Sequence, residues 1–227
     1  FVFACTGALA ARPSPIVRAP GAEPREDPRL SADIARLAPQ RPGHVDLYVL
    51  AVAGDGTEQV FRNEVLHLER LAAQRLDAAG RSLVLANHAP SAGVRPLPRA
   101  SEANLRSALA AIGRTMDPDE DLLLLYLTSH GTEDHGFVLA LPGREPRLLR
   151  PATLRAALDA SGIRHRVLVV SACYSGGFIR DLRDEHALVI TAAHRNRPSF
   201  GCGNDSVATY FGRAWLVDGL NQTLDFE

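Results

Sequence analysis

The sequence predicts a single α/β domain whose central sheet is mostly parallel and covered by helices on both faces. Short apolar segments alternate along the chain with longer segments whose apolar residues recur three or four positions apart, which indicates strands alternating with helices. The apolar segments are continuous and do not alternate with polar residues, so both faces of each strand should be buried. These two patterns are typical of a parallel sheet packed between helical layers.

The first half of this domain is expected to contain three strands and two helices. Continuous apolar runs predict the strands, at residues 45–52, 82–86 and 122–128. Helical periodicity predicts the helices, at residues 62–79 and 101–114. Gly80 is expected to stop the first helix, and Asp117-Pro118-Asp119 separates the second helix from the third strand.

The second half is expected to continue the same alternation. Two short runs flank the turn at Pro142-Gly143, which predicts a small hairpin formed by residues 136–141 and 147–149. Two further strands are expected, at residues 166–171 and 188–192. Three further helices are expected, at residues 151–160, 175–182 and 206–220. Pro151 at the first helical position and Gly162 after the last one support the first of these helices.

The folded domain is expected to span residues 44–227. Residues 12–43 contain seven prolines and are predicted to be a linker with at most one helical turn, at 31–38. Residues 1–11 are small and apolar, and we expect them to be the remnant of a signal or lipoprotein signal. Val2-Phe3-Ala4-Cys5 resembles a lipobox, which would make Cys5 a lipidated membrane tether in the cell envelope or periplasm. A cytoplasmic location is the alternative.

The charged residues and cysteines exclude several classes of function. All 25 basic residues are arginines, and with 26 acidic residues they give a formal net charge of −1. Without lysine, the chain cannot use a Schiff-base lysine or the lysine of a phosphate-binding P-loop. There is no basic stripe that would indicate nucleic-acid binding, and three cysteines are too few for a disulfide framework.

Side chains capable of chemistry follow two of the predicted strands. The strand at 122–128 is followed by Ser129-His130-Gly131, and the strand at 166–171 by Ala172-Cys173. Because parallel strands present their carboxyl ends at one edge of the sheet, His130 and Cys173 should lie side by side if these strands are neighbours. A thiol beside an imidazole is an activated cysteine nucleophile. The helix predicted after Cys173 would favour a thiolate, and the N–H groups of Gly131 and Cys173 could stabilise an oxyanion.

Four stretches of the sequence resemble the caspase-like cysteine peptidases, and among them the legumain-type family. LLLLYLTSHG at 122–131 is similar to their strand leading to His-Gly, and RVLVVSACYSGG at 166–177 to their strand leading to the nucleophile. Residues 191–212 resemble the region after the nucleophile in legumain-type peptidases, and VAGDGTEQVFRNE at 52–64 resembles their first loop. Because these stretches occur in the family's order, the chain is identified as a bacterial member of this family.

The resemblance implies the caspase-like three-layer sandwich and a cysteine endopeptidase that acts on peptides or proteins without a cofactor or metal. Cys173 would be the nucleophile that forms a thioester acyl-enzyme, and His130 would move protons to the leaving amine. The backbone N–H of Gly131 would contribute to the oxyanion hole. Nucleic acid is not an expected partner.

The same resemblance implies a pocket for the side chain that precedes the cleaved bond. Arg62 would reach into this pocket, with Asn63 beside it and Ser199 on the pocket wall. The family carries an asparagine two residues before this arginine that assists the catalytic histidine, whereas this sequence has Val60. The assisting group of the family is therefore missing from its usual position.

Two further departures change the charge expected in the pocket. The family has a glutamate two residues before the nucleophile, where this chain has Ser171, and an aspartate after Tyr-x-Gly, where this chain has Arg213. We therefore expect a positive pocket that prefers Asp or Glu to Asn, because arginine pairs with a carboxylate through two hydrogen bonds. The alternative is that Arg213 pairs with a structural acid, Asp205 or Asp218.

Other functions remain open at the level of sequence. An amine could resolve the acyl-enzyme instead of water, which would make the protein a transamidase or peptide ligase. A cysteine α/β-hydrolase would need a histidine after the nucleophile, His186 or His194. A catalytically silent caspase-like binding module is the non-enzyme alternative. Asp134 could orient His130, whereas residues 133–135 lack the spacing of metal ligands.

Overall fold

The computed structural model describes residues 27–88, 93, 95–200 and 208–222. Its strands are β1 Leu47–Ala53, β2 Ser82–Ala86, β3 Leu122–Thr128, β4 Phe137–Leu139, β5 Arg147–Leu149, β6 His165–Ser171 and β7 Ala187–Thr191. Its α-helices are α1 Pro28–Ile34, α2 Gln59–Arg75, α3 Glu102–Thr115, α4 Pro151–Ser161, α5 Ile179–Leu182 and α6 Tyr210–Gly212. A 3₁₀ turn at Ser175–Phe178 precedes α5, and a π-helical segment at Arg213–Gly219 continues α6.

The central sheet has five parallel strands in the order β2-β1-β3-β6-β7. Strands β3 and β6 are neighbours, and their register runs from Leu122 opposite His165 to Thr128 opposite Ser171. Strand β1 lies on the other side of β3, with Ala53 opposite Thr128. All five strands therefore end along one side of the sheet, the carboxyl edge. The predicted α/β class with a mainly parallel sheet is confirmed.

Alternate residues of the strands face two separate hydrophobic cores. In β1, Tyr48 and Leu50 belong to the core shared with α1, α3 and α4, whereas Val49 and Ala51 belong to the core shared with α2 and the C-terminal π-helical segment. All four side chains are fully buried. Because strand side chains alternate between faces, burial on both faces requires the continuous apolar runs seen in the sequence.

Helix α1 lies within residues 12–43, whose proline content predicts a linker. Pro28 is tolerated in the first turn because the N–H that it lacks would have no partner inside the helix. The carboxylate of Asp27 accepts a hydrogen bond from the backbone N–H of Arg29 at 3.0 Å and caps the helix. Leu30 is fully buried in the core that α3 also lines. The packed part of the chain thus includes residues upstream of residue 44.

The remaining elements agree with the predictions in type and differ in detail. Strands β4 and β5 form the predicted antiparallel hairpin, with Phe137 opposite Leu149. Of the helix predicted at 206–220, the structure describes residues 208–220, and this part is α-helical in α6 and π-helical from Arg213. None of the helices in the described part of the chain is long and apolar enough to cross a membrane.

Candidate active site

The structure brings His130 and Cys173 to neighbouring positions on the carboxyl edge. Thr128 and Ser171 are the last paired residues of β3 and β6, and His130 and Cys173 each lie two residues beyond them. The backbone N–H of Ser129 donates to the carbonyl of Ser171 at 3.1 Å, which continues the contact past the strands. The sequence placed these two residues side by side only if their strands are neighbours, and the strand order meets that condition.

Gly131 is required by the close approach of the two strand ends. A Cβ atom at this position would lie 2.0 Å from the carbonyl oxygen of Cys173 and 2.9 Å from its carbonyl carbon. Gly131 also pairs with Phe137 in a short antiparallel bridge, whose hydrogen bonds join Val138 to His130 and Thr132 to Gly136. Neither bond uses the N–H of Gly131, so this donor is compatible with binding an oxyanion.

Cys173 lies at a sharp turn between β6 and the 3₁₀ turn. The next residue, Tyr174, has left-handed backbone geometry with φ 55° and ψ 17°, and its N–H donates to the carbonyl of Arg197 at 3.0 Å. The half-buried thiol accepts a hydrogen bond from the backbone N–H of Ser199 at 3.3 Å. Ser199 is thus beside the nucleophile, on the loop that follows β7.

The helix predicted directly after Cys173 spans the expected residues but is less regular than expected. It consists of the four-residue 3₁₀ turn Ser175–Phe178 and the four-residue helix α5. Because the turn next to Cys173 is 3₁₀ and not α-helical, its peptide dipoles are less well aligned than in the predicted helix. The backbone N–H of Ser199 is a described donor in contact with the sulfur.

The imidazole of His130 is held by a residue that the sequence patterns do not indicate. Its Nε2 lies 2.9 Å from Oε1 of Glu58, and its ring makes an edge-to-face contact with Phe61, with centroids 5.2 Å apart. Asp134, which the sequence offered only as an alternative partner of His130, accepts from the hydroxyl of Thr132 and pairs with Arg150 at 2.8 Å. These two contacts lower the pKa of Asp134. Its carboxylate is therefore engaged by groups other than the imidazole.

Arg62 lies in the first turns of α2 and is buried. Its guanidinium contacts Nε2 of His88 and donates to the side-chain oxygens of Gln59 at 3.3 Å and Asn63 at 3.1 Å. Burial and the neighbouring guanidinium lower the pKa of His88 below its usual value. Asn63 therefore contacts Arg62, and substrate binding by these two residues stays a prediction. Arg213, by contrast, is exposed.

Comparison with known proteins identifies the family. The peptidase C13 family matches residues 103–226, which is more than half of the chain and includes both His130 and Cys173. The chain belongs to the peptidase C13 family. Members of this family are cysteine peptidases, and so the resemblance drawn from the sequence motifs is confirmed at the level of family.

Solved structures of other cysteine peptidases are similar to this C13 chain at low identity. Caspase-1 from Spodoptera frugiperda is 13% identical, with a TM-score of 0.49 over 77% of this chain and 68% of that one. A secreted C11 cysteine protease from Bacteroides thetaiotaomicron, in complex with an irreversible peptide inhibitor, is 14% identical, with a TM-score of 0.40 over 63% of this chain and 47% of that one. No curated protein matches the sequence significantly.

Below the candidate site of this C13 peptidase lies a buried network centred on Glu64. Its carboxylate accepts hydrogen bonds from the hydroxyls of Tyr126 at 2.9 Å and Thr128 at 2.6 Å, and from the backbone N–H of Thr209 at 2.7 Å. Burial and the Glu64 carboxylate raise the pKa of Tyr126 well above its usual value. Ser171 is buried, and it offsets part of the rise in the pKa of Tyr126.

The sequence analysis did not identify Glu64. Its position within the apolar stripe of α2 could have indicated a buried carboxylate. A buried carboxylate needs several donors, and here they come from β3 and from the segment before α6. Val60, which replaces the family's asparagine, is fully buried in the core that α2 shares. It therefore presents no polar group to His130.

Some predicted residues are not placed near the thiol. His186 precedes β7 and so lies at the opposite edge of the sheet from Cys173, where it contacts Arg164 at 3.1 Å. His186 is consequently unsuited to the α/β-hydrolase role.

In the described part of the chain no carboxylate forms an ion pair with Arg213. Asp205, one of its expected partners, lies outside the described residues. Cys5 lies outside them as well, so its lipidation stays a prediction.

Proposed function

We propose that this C13 peptidase is an endopeptidase that hydrolyses peptide bonds through Cys173 and His130. One observation carries the proposal: the two residues lie at equal distances beyond the ends of adjacent parallel strands, paired at Thr128 and Ser171. A thiol and an imidazole at one edge of a sheet are the components of a cysteine nucleophile and its base. Cys173 is half-buried and not sealed in the core, as a residue that must meet a substrate has to be.

The reaction would proceed in two steps. The Sγ proton passes to His130, and the sulfur attacks the peptide carbonyl to form a tetrahedral oxyanion, which the N–H groups of Gly131 and Cys173 stabilise. The C–N bond then breaks as His130 gives its proton to the leaving amine, and a thioester remains on Cys173. Water, deprotonated by His130, attacks the thioester and releases the carboxylic acid product and the thiol.

Labelling of Cys173 by a peptidyl acyloxymethyl ketone tests this mechanism. Labelling and peptide hydrolysis should both disappear in Cys173→Ala and fall by about 100-fold or more in His130→Ala. His194→Ala is the matched control, because this histidine is exposed and is the one that a cysteine α/β-hydrolase would use. Activity that survives His130→Ala but not His194→Ala would refute the Cys173–His130 pair.

We also propose that the pocket before the cleaved bond prefers an acidic side chain. Arg213 follows Gly212, and the carboxylate of Glu64 packs against Gly212, where a Cβ atom would meet Oε1 at 2.0 Å. The oxygens of Glu64 are already occupied by three donors, so this carboxylate is committed to the buried network. An exposed Arg213 would then be available to a substrate carboxylate.

Peptides that differ only in Asn, Asp, Glu or Arg before the scissile bond measure this preference. Cleavage after Asp or Glu should be about tenfold faster than after Asn, and Arg213→Gln should reduce that ratio. Arg106→Gln is the matched control, since Arg106 is an exposed arginine paired with Glu102 on α3. Faster cleavage after Asn by the unaltered enzyme would overturn the proposed preference.

A further inference from the structure

Glu58 directs its carboxylate to His130 and to no other described group. Its Oε1 lies 2.9 Å from Nε2 of His130, and its side chain is only 19% exposed. The second oxygen, Oε2, is buried and has no hydrogen-bond partner among the described residues. The contact with the imidazole is thus the only polar contact that this carboxylate makes in the described part of the chain.

Capping of helix α2, which follows Glu58, does not explain the position of the Glu58 carboxylate. Glu58 is the residue immediately before α2 and has extended backbone angles, with φ −119° and ψ 133°. A side chain at this position commonly accepts a hydrogen bond from the first turn of the helix, but Glu58 makes no such bond. A capping role in α2 is therefore excluded as the reason for the side-chain position.

The order of the strands explains why Glu58 reaches His130. Strand β1 is the neighbour of β3, with Ala53 opposite Thr128, so the loop after β1 passes over the end of β3. The other carboxylates near this loop point elsewhere. Glu133 accepts from the phenol of Tyr174 at 3.2 Å, and Asp134 pairs with Arg150. Among the described carboxylates, only Glu58 pairs with the imidazole.

We propose that Glu58 is a positioning residue that fixes the tautomer and orientation of His130. It would accept the Nε2 proton of the imidazole and so leave Nδ1 to exchange a proton with Sγ of Cys173. When Nδ1 takes the thiol proton, the Glu58 carboxylate would stabilise the imidazolium until that proton passes to the leaving amine. This inference rests on the proposed function, because it assigns His130 the role of base.

Kinetics and histidine NMR on three variants test the proposal. Glu58→Ala should lower kcat by about 10- to 100-fold with KM unchanged within about twofold, because the imidazole loses its orientation but the pocket is untouched. Glu58→Gln keeps an acceptor oxygen and should restore most of the loss. Asp134→Asn is the matched control, since Asp134 lies near His130 in sequence and contacts other groups. It should keep kcat within about twofold.

The tautomer of His130 is measured in ¹⁵N-histidine-labelled enzyme, with His130→Gln to assign the signal. The unaltered enzyme and Glu58→Gln should show the Nε2–H tautomer, and Glu58→Ala should show a mixture. Unchanged kcat and an unchanged tautomer in Glu58→Ala would overturn the proposal, as would a fall in kcat without a change of tautomer. If the unaltered enzyme cleaves no peptide, the proposed function fails, whereas the NMR comparison still decides whether Glu58 holds His130.

Discussion

Replacing Gly131 with alanine is the most direct perturbation of the contact between the two strand ends. The new Cβ would lie 2.0 Å from the carbonyl oxygen of Cys173, whereas Cβ atoms in proteins essentially never approach closer than 3.0 Å. The difference, 3.0 − 2.0, means that one backbone must move by at least about 1.0 Å. The φ angle of Gly131 is not in the left-handed region, so backbone strain adds nothing to this steric cost.

This movement should affect catalysis more than stability. His130 precedes Gly131, and the contacted carbonyl belongs to Cys173, so the displacement separates the two groups that exchange the proton. A misplacement of about 1 Å at reacting groups costs about 100-fold in rate. Overpacking in a closely packed region costs about 1–3 kcal/mol of the free energy of unfolding. We therefore expect Gly131→Ala to fold and to lose about 100-fold in kcat.

Gly113→Ala is the matched control for this steric effect. A Cβ at Gly113 would lie 2.0 Å from the carbonyl oxygen of Ser161, the same distance, but near the ends of α3 and α4 and away from the carboxyl edge. The assay is hydrolysis of a fluorogenic peptide normalised to folded protein, together with urea unfolding. Both variants should lose stability, and only Gly131→Ala should lose kcat. A folded Gly131→Ala variant with kcat within about threefold of the parent would refute the reasoning.

Two other predictions concern the stability of the fold. Glu64→Gln should lower the free energy of unfolding by about 1–3 kcal/mol, because an amide NH₂ is a donor and the glutamine side chain therefore cannot accept all three hydrogen bonds from Tyr126, Thr128 and Thr209. Urea unfolding measures this loss, with the exposed Glu102→Gln as the control. Equal urea midpoints for Glu64→Gln and the unaltered protein would contradict the prediction. Burial, with help from the charges of Arg70 and Arg62, lowers the pKa of both His67 and His88 below the usual value of about 6.5. Just below about pH 6.5, the unfolded chain therefore binds more protons than the folded chain. The stability that is present above this pH should be lost as the pH falls toward the lowered pKa values of these two histidines in the folded protein. Denaturation curves between about pH 8 and pH 5 should show this loss, and it should shrink in His67→Gln/His88→Gln. An identical pH dependence in the double variant would show that other groups are responsible.

Most elements of the fold follow from local patterns of the sequence. Strands β2 and β3 begin and end at the residues that their apolar runs predict, because burial on both faces leaves no freedom to place polar residues within them. Helix α1 was predicted only as a single possible turn at 31–38 within a linker, since its stabilising contacts are distant: the N–H of Asp27 donates to the side chain of Asn104, 77 residues away. Proline content alone describes the local preference of a segment and carries no information about such contacts.

The sequence by itself determined the parallel α/β architecture and the fact that His130 and Cys173 each follow a strand end, because strand periodicity and the chemistry at strand ends are both local. It could not determine which acid faces the imidazole. Glu58 meets His130 across 72 residues, and Glu64 meets the N–H of Thr209 across 145 residues. No periodic pattern of residues in the sequence indicates such polar contacts. They depend on the order of the strands in the sheet, which only the packing of the whole domain decides.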